Sequence, residues 1–553
     1  MSRLFAASLL LLLAPVGAAA QWQFNGVPVS TADHYQADPL IVADGTGGAI
    51  IAWFDYRSGN YDIYAQRLNA AGVPQWTADG VPLCTQPGNQ ITISMVSDDA
   101  GGAVVVWQDA RGNSLDIFAQ RVNASGTPLW DADGALVCAA GADQNDPIII
   151  KSANNFVIAW FDFRFAGVAD IYAQALNASG APLWLADGVA LCTAAGNQFH
   201  PRLSTDGVGG AIVAWEDRRS GPDDIYARLV DRFGNVQWAA DGVVVCNATA
   251  EQYSPQIVGD GAAGAIIAWY DWRGGNTDIY MQRIDSGGIA QWTANGAPIC
   301  TAPFSQGEPS LAQDFSGGAV VVWEDGRNGV TSDIYGQHVS NAGAMLWPAN
   351  GAPICTANAN QLAPRLIRDG AGAHILAWFD YRSGNADIYA QRVDFFGAPM
   401  WMANGVPLCI APGLQELPTL ASDGGSGAIV TWRDLREGSY YDVYAERVNE
   451  TPTPAGRTPR ASTLRVLPNF PNPFNTGTTF ELVLPSASDV EIDMFDVAGH
   501  RVSGRRIDHA SAGAHTIALS ATASDGTLLR SGVYFCRVTA AGETVTTKMV
   551  IAR

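Results

Sequence analysis

The sequence is poor in bases, in histidine and in long apolar runs, and each shortage excludes something. Its 53 Asp and Glu face only 32 Lys and Arg, a formal net charge of −21. A surface so acidic repels nucleic-acid phosphates and anionic lipid, so neither is expected as a partner. Residues 1–20 read as a secretory signal peptide: Arg3, an apolar run over residues 9–13, then Ala18, Ala19 and Ala20 before Gln21. Nothing after it approaches the ~18 unbroken apolar residues of a spanning helix. A secreted chain without a membrane span is expected, at an extracellular or outer-membrane-surface address. Only His34, His200, His338 and His374 precede residue 450, and none falls in metal-ligand spacing. The H-E-x-x-H zinc motif, the G-x-S-x-G elbow and the sialidase box S-x-D-x-G-x-T-W are missing. No cofactor or metal is expected, and the balance leans away from an enzyme.

What the sequence does hold is a repeat. Trp53 returns as Trp107, Trp160, Trp215, Trp269, Trp323, Trp378 and Trp432, at intervals of 53 to 55 residues. Each unit carries four β-rich runs, in the first copy residues 39–43, 49–54, 63–68 and 75–84, separated by Gly- and Asn-containing turns. The second run is apolar without alternation, as in a strand covered on both faces. The register decides the architecture. Residues 21–30 match 75–84, the last part of a unit, whereas the eighth copy stops at residue 448 without that part. A closed ring explains a unit split between two ends; an open stack does not. The layout resembles an eight-bladed β-propeller over residues 21–449, all-β, with the N-terminal strand completing the last blade.

Cysteine occurs eight times but never twice in one unit. Cys84, Cys138, Cys192, Cys246, Cys300, Cys355 and Cys409 occupy one repeat position, where the N-terminal element has Ser30; Cys536 stands apart. An even number and export would suggest disulfides. In a ring, this position lies on the outermost strand, roughly 14 Å beyond the innermost at ~4.8 Å per strand. Equivalent positions there are too widely spaced for the ~7 Å Cα limit of a disulfide. Free, buried thiols acting as small apolar residues are expected.

Residues 450–463 carry Pro and Thr without an apolar pattern and read as a linker. Residues 464–553 balance eight acids with eight bases, which leaves the acidic excess in the repeats. Alternation such as Val490-Glu491-Ile492-Asp493-Met494 suggests a small β-sandwich. Four features carry a resemblance: N-x-P-N-P-F from Asn469 to Phe474, D-x-x-G from Asp496 to Gly499, Ser531-Gly532-Val533-Tyr534, and Lys548-Met549-Val550. They resemble the C-terminal sorting domains of the type IX secretion system, which share an immunoglobulin-like fold with the flagellar hook-capping family. The resemblance implies engagement with the secretion machinery, passage across an outer membrane, and release or attachment at the surface.

In a propeller, the loops between second and third strands share a face with the connections between blades. Two repeated motifs meet there: D-x-R followed by Asp, as Asp55, Arg57 and Asp62, and Q-x-x-P, as Gln36 to Pro39. The first could form an acidic ring for calcium, but the interposed Arg competes with the six to eight oxygens that calcium takes. It reads instead as a hairpin brace in which Arg bridges both carboxylates. Specific chemistry belongs where the copies differ. The candidate ligand-binding residues are Asp146, His200 and Glu308 between Gln and Pro, Arg202, Gln256 and Arg365 just after Pro, and Tyr56, Trp272 and Tyr381 beside D-x-R. Aromatic rings stack on sugar faces while charged groups fix hydroxyls; a solvated, drifting loop surface is the plainer alternative. No catalytic residue is assigned. The expectation is a monomeric binding or interaction protein for a protein or carbohydrate ligand. The alternative is a secreted glycan-cleaving enzyme using Asp146, His200 or Glu308.

Overall fold

The computed structural model describes residues 22–449 except 166 and 315, and residues 464–552 except 467, 468, 470, 471, 485, 486, 511 and 512. The expected signal peptide and the expected linker lie outside the described residues. The chain divides into two compact units, one on each side of that linker.

Among the described residues, the first unit consists of eight four-stranded antiparallel sheets. Blade 1 contains Gln36–Ala43, Ala49–Asp55, Asp62–Leu68 and Val81–Cys84. The pattern repeats to blade 8, which contains Gln415–Ser422, Ala428–Asp434, Asp442–Val448 and, from the N-terminus, Val27–Ser30. The first strand of each blade packs against the first strand of the next, and Gln415–Ser422 packs against Gln36–Ala43, so the ring closes. These first strands form its innermost layer.

Burial on both faces explains the unbroken apolar second strands. Ala49, Ile50, Ile51, Ala52 and Trp53 are fully buried, as are the seven counterparts of Trp53. Each core lies between blades: Ile50, Ala52, Ile63 and Cys84 of blade 1 pack against Val105, Trp107 and Val122 of blade 2. Losing one such indole would cost about 3–5 kcal/mol.

The last run of each unit is a strand over only four residues. Residues 75–80 instead form a turn held by its side chains. The Trp76 backbone N–H donates to Gln66 Oε1 at 3.0 Å, Gln66 Nε2 donates to the Thr77 carbonyl at 2.8 Å, and the Trp76 indole N–H reaches the Ala124 carbonyl of the next blade at 3.1 Å. Gly80 closes the turn at φ +87°, and a Cβ there would come within 2.6 Å of the Trp53 ring.

The closing seam repeats this geometry across the two ends of the ring. Val27 and Pro28 pair with Ala445 and Tyr444, and the Trp22 indole donates to the Ala70 carbonyl at 3.1 Å. One residue departs. Where six blades carry Gln66, Gln120, Gln174, Gln282, Gln337 and Gln391, blade 8 carries Glu446. Its Oε2 accepts the Gly26 N–H at 3.2 Å, while its Oε1 is buried without a partner. Burial pushes this carboxyl up to about 8.

The second unit is a sandwich. Arg465–Val466, Gly477–Leu484 and Gly513–Ser520 form one sheet; Arg501–Ala510, Ser488–Phe495, Gly532–Ala540 and Glu543–Ile551 form the other. Phe480, Leu482 and Ile517 meet Val490, Ile492, Cys536 and Val538 in its core. The N-x-P-N-P-F end is tied to the terminal strand: Phe474 N–H donates to the Val550 carbonyl at 3.0 Å, and Val550 N–H donates to Asn472 Oδ1 at 2.8 Å.

Two outcomes test the closure. Deleting residues 21–30 lowers the melting temperature by about 5 °C or more; an unchanged value rules the closure out. Glu446 stays protonated in the folded ring while the unfolded chain ionises, so stability falls as pH rises from 4.5 towards about 8, by about 1.4 kcal/mol per pH unit. Glu446→Gln, which restores the amide donor, therefore raises the melting temperature more at pH 8 than at pH 5, and equal gains at both would refute the assignment.

Candidate functional site

The D-x-R motif builds the hairpin, with partners that differ from those expected. In blade 2 the Trp107 indole donates to Asp109 Oδ2 at 2.8 Å and Arg111 Nη2 to the same oxygen at 2.6 Å. Arg111 does not reach Asp116, the second acid of the motif. Its Nη2 meets the Asp133 carbonyl at 2.7 Å and Cys84 Sγ of blade 1 at 3.2 Å, and its guanidinium lies 3.7 Å from the Phe118 ring centroid. The stacking recurs in all eight blades, up to Arg436 over Tyr444 at 3.7 Å. The reason is direction: Asp109 and Asp116 face each other across the hairpin, while the Arg side chain runs back over the third strand towards the preceding blade. The cysteines are free and buried, and burial pushes Cys84 up to about 12. They are more than apolar filler, since each of the seven in the ring lies 3.0–3.4 Å from an Arg Nη2.

Inside the hairpins runs the mouth of the central channel. In every blade the ladder between first and second strands slips at Q-x-x-P, for example between Phe199 and Arg202. The residue before Pro takes a left-handed backbone: Asp38, Thr92, Asp146, His200, Ser254, Glu308, Ala363 and Leu417 all have φ between 49° and 51°. Proline has no N–H for the ladder, yet blade 2 keeps the slip with Ile93 in place of Pro. Packing of the ring therefore holds this bulge. A non-glycine residue in this conformation costs of order 1–3 kcal/mol, and such strain clusters at functional positions.

The structure joins several of the expected site residues. His200 Nδ1 lies 2.9 Å from Glu216 Oε2, and His200 Nε2 lies 3.7 Å from Asp146 Oδ2. The hydrogen bond to Glu216 raises the His200 pKa above its ordinary 6.5 against the opposing effect of burial. One step inward, Arg202, Gln256 and Arg365 occupy the same position on blades 4, 5 and 7, each half-buried. Burial lowers the Arg202 pKa, and Arg365 pushes it the same way, while Asp146, Glu216 and Glu308 act against them.

Tyr56, Trp272 and Tyr381 flank the mouth on the hairpins. Tyr56 stacks edge-on with Tyr61 at 4.9 Å, Tyr381 with Phe379 at 6.0 Å, and Trp272 is 39% exposed. Two open surface hollows of about 530 and 660 Å³ lie elsewhere, around Asp143 and Phe163 and around His34 and Tyr440. The channel, where strained backbone and unlike side chains coincide, is the candidate site.

A second ring escaped the sequence reading: the middle residue of W-x-D, namely Phe54, Gln108, Phe161, Glu216, Tyr270, Glu324, Phe379 and Arg433. Several reach the strained residue of the next blade. Glu216 Oε1 accepts the Ser254 N–H at 2.7 Å, Glu324 Oε1 accepts the Ala363 N–H at 2.6 Å, and Arg433 Nη1 meets Asp38 Oδ1 at 3.2 Å. Burial, with Glu308 adding to it, pushes Glu324 up to about 7. The usable signal was four polar residues at one position of an otherwise apolar strand.

Residues 469–552 match the family described as the secretion system C-terminal sorting domain, that of type IX export. The protein is secreted or held at the cell surface. No helix among the described residues is long and apolar enough to cross a membrane, and the sorting domain implies contact with the secretion machinery. No curated relative matches the chain. Solved structures similar to it are remote. One is a protein of unknown function from Dyadobacter fermentans, with 10% identity and a TM-score of 0.35, covering 77% of this chain and 97% of that one. Another is an ulvan polysaccharide lyase, with 11% identity and a TM-score of 0.43, covering 68% and 97%. A third is an α-L-arabinanase of Penicillium chrysogenum, with 10% identity and a TM-score of 0.30, covering 65% and 93%. Likeness this distant says nothing about a ligand.

The mouth geometry is tested by following the His200 imidazole by NMR. It titrates above 6.5 in the wild-type protein and returns towards that value in Glu216→Gln, which keeps the shape and removes the charge. An identical titration in the variant would reject the pairing.

Proposed function

We propose that the protein is an exported binding protein that holds a glycan or protein ligand at the channel mouth. The supporting observation is the ring of eight strained positions. Backbone geometry there is the same to within 2° in φ, yet the side chains include acids, an imidazole, two hydroxyls and apolar groups. A rigid frame thus presents unlike chemistry at equivalent points. Residues 21–449 act as the binding unit and 464–553 as the delivery unit, joined by a linker over 450–463 after removal of residues 1–20. Kinship of the C-terminal sandwich with flagellar hook-capping domains belongs to the same proposal.

One observation favours a second reading, a glycan-cleaving enzyme. Glu324, pushed up to about 7, carries a releasable proton near neutral pH, with Glu308 and Arg365 close enough to influence it. A protonated acid near a second carboxyl group is the equipment of glycoside hydrolysis.

A panel of glycans and peptides, followed for both binding and product release, separates the two. The binding reading expects retention without product, weakened about tenfold or more, ~1.4 kcal/mol, in Asp146→Asn, His200→Gln and Glu308→Gln combined. Unchanged affinity in that variant rejects the mouth as the site. Product release that disappears in Glu324→Gln establishes the enzyme instead.

A further inference from the structure

We propose that Arg202 and Arg365 form an anion seat inside the channel that takes the carboxylate of a uronic-acid sugar, the hydroxyl groups of that sugar facing the acids of the mouth. The proposal rests on the binding-protein reading above and names its ligand class.

These two arginines differ from those around them. Arginines of the hairpins and turns are spent on carboxylates, as in Arg111 on Asp109 at 2.6 Å and Arg67 on Asp44 at 2.9 Å. Arg202 and Arg365 have no ion pair with a described residue. Each gives one Nη1 to the carbonyl of the proline before it, at 2.9 and 3.2 Å. No described acceptor hydrogen-bonds their remaining N–H groups. Nor are those nitrogens sealed off, since both side chains are half-buried against the channel. Two cations are thus held at one level of the ring, near enough for Arg365 to depress the Arg202 pKa, in a chain whose net charge is −21. A half-buried guanidinium without an ion-pair partner presents its free N–H groups as a fork that matches a carboxylate; a bound anion would pair with both.

The surroundings narrow the anion. Between the two arginines on the same level stand Gln256 and Ser310, and across the ring stand Thr419, Leu40, Ser94 and Ile148, so the seat faces a wall of alternating hydroxyl and aliphatic side chains. Outside it lie Asp146, Glu308 and His200. These acids repel a polyanion but accept hydroxyl protons. Tyr253 and Tyr270, 5.4 Å apart, and Phe199 against His200 at 6.0 Å supply ring faces beside them. A ligand with one carboxylate at its inner end and hydroxyls on an otherwise apolar-faced ring satisfies every level, and a uronic-acid residue at a glycan end has that form.

The test titrates the full chain with glucuronate, galacturonate, glucose, acetate, inorganic sulfate and an N-acetylated dipeptide bearing a free carboxylate. The uronates bind at least tenfold more tightly than each of the others. Arg202→Gln and Arg365→Gln each weaken uronate binding about tenfold or more, Arg365→Lys weakens it less, and Arg228→Gln, on the third strand of blade 4 away from the channel, leaves it unchanged; thermal melts confirm that the variants are folded. Glucose binding equal to that of uronate, or uronate binding indifferent to both glutamine variants, overturns the seat. Acetate or sulfate equalling uronate overturns the sugar assignment, and preference for the dipeptide overturns it in favour of a peptide end. Neutral glycans that bind through Glu308 but ignore Arg202 and Arg365 overturn the seat while sustaining the mouth; no binding by the uronates or by any neutral glycan or peptide overturns both.

Discussion

The ring depends on a carboxylate with no access to water. Asp55 and its seven counterparts are completely buried, and a buried charge left unpaired would cost several kcal/mol. The indole N–H of the neighbouring Trp, a backbone N–H and an arginine fork satisfy it together. The same fork then holds the carbonyl before the fourth strand and touches the thiol or hydroxyl of the preceding blade. One ion pair thereby fixes the hairpin, the path to the outer strand and the contact between blades. The thiol or hydroxyl it touches belongs to the preceding blade, so no blade is complete alone and the last needs the first. Ser30 fills at the seam the position that cysteine fills elsewhere, within 3.4 Å of Arg57.

The architecture was legible because period and register are one-dimensional properties. Spacing of Trp53 and its copies counted the units, and the displaced match of residues 21–30 showed that they close. Partnerships were less legible. Asp55, Arg57 and Asp62 stand close in sequence, but Arg57 leaves Asp62 for the Tyr64 ring at 4.1 Å, and only the twist of the hairpin decides that. Trp76 sits in a stretch that alternates like a strand, yet its N–H bonds to a glutamine side chain. Glu216 and Glu324 were hidden inside an apolar run because their partners lie in the next blade, 38 and 39 residues away, beyond any local pattern.

The candidate site was partly legible for the complementary reason. Asp146, His200, Arg202, Glu308 and Arg365 stood out as departures from the repeat, and the fold gathers them around one channel. Tyr56, Trp272 and Tyr381 departed from it too, but sit on the flanking hairpins. The sequence could not show that the mouth residues share a left-handed backbone. A residue before proline is ordinarily extended, and the bulge comes from the ring's packing. The result is a channel layered by charge, acids outside and guanidinium groups within, on a scaffold whose hairpin arginines are neutralised in place.

The thiols of the ring carry one more consequence. Seven cysteines on one exported chain, joined by Cys536, could pair in 105 ways if all were oxidised while unfolded. Folding deals with them by separation: each is sealed beneath an arginine of the following blade, with its proton held too tightly to leave a reactive thiolate. Assembly of the ring is therefore also chemical insulation, and the vulnerable moment for this protein in an oxidising compartment is the interval before the N-terminal strand closes the circle.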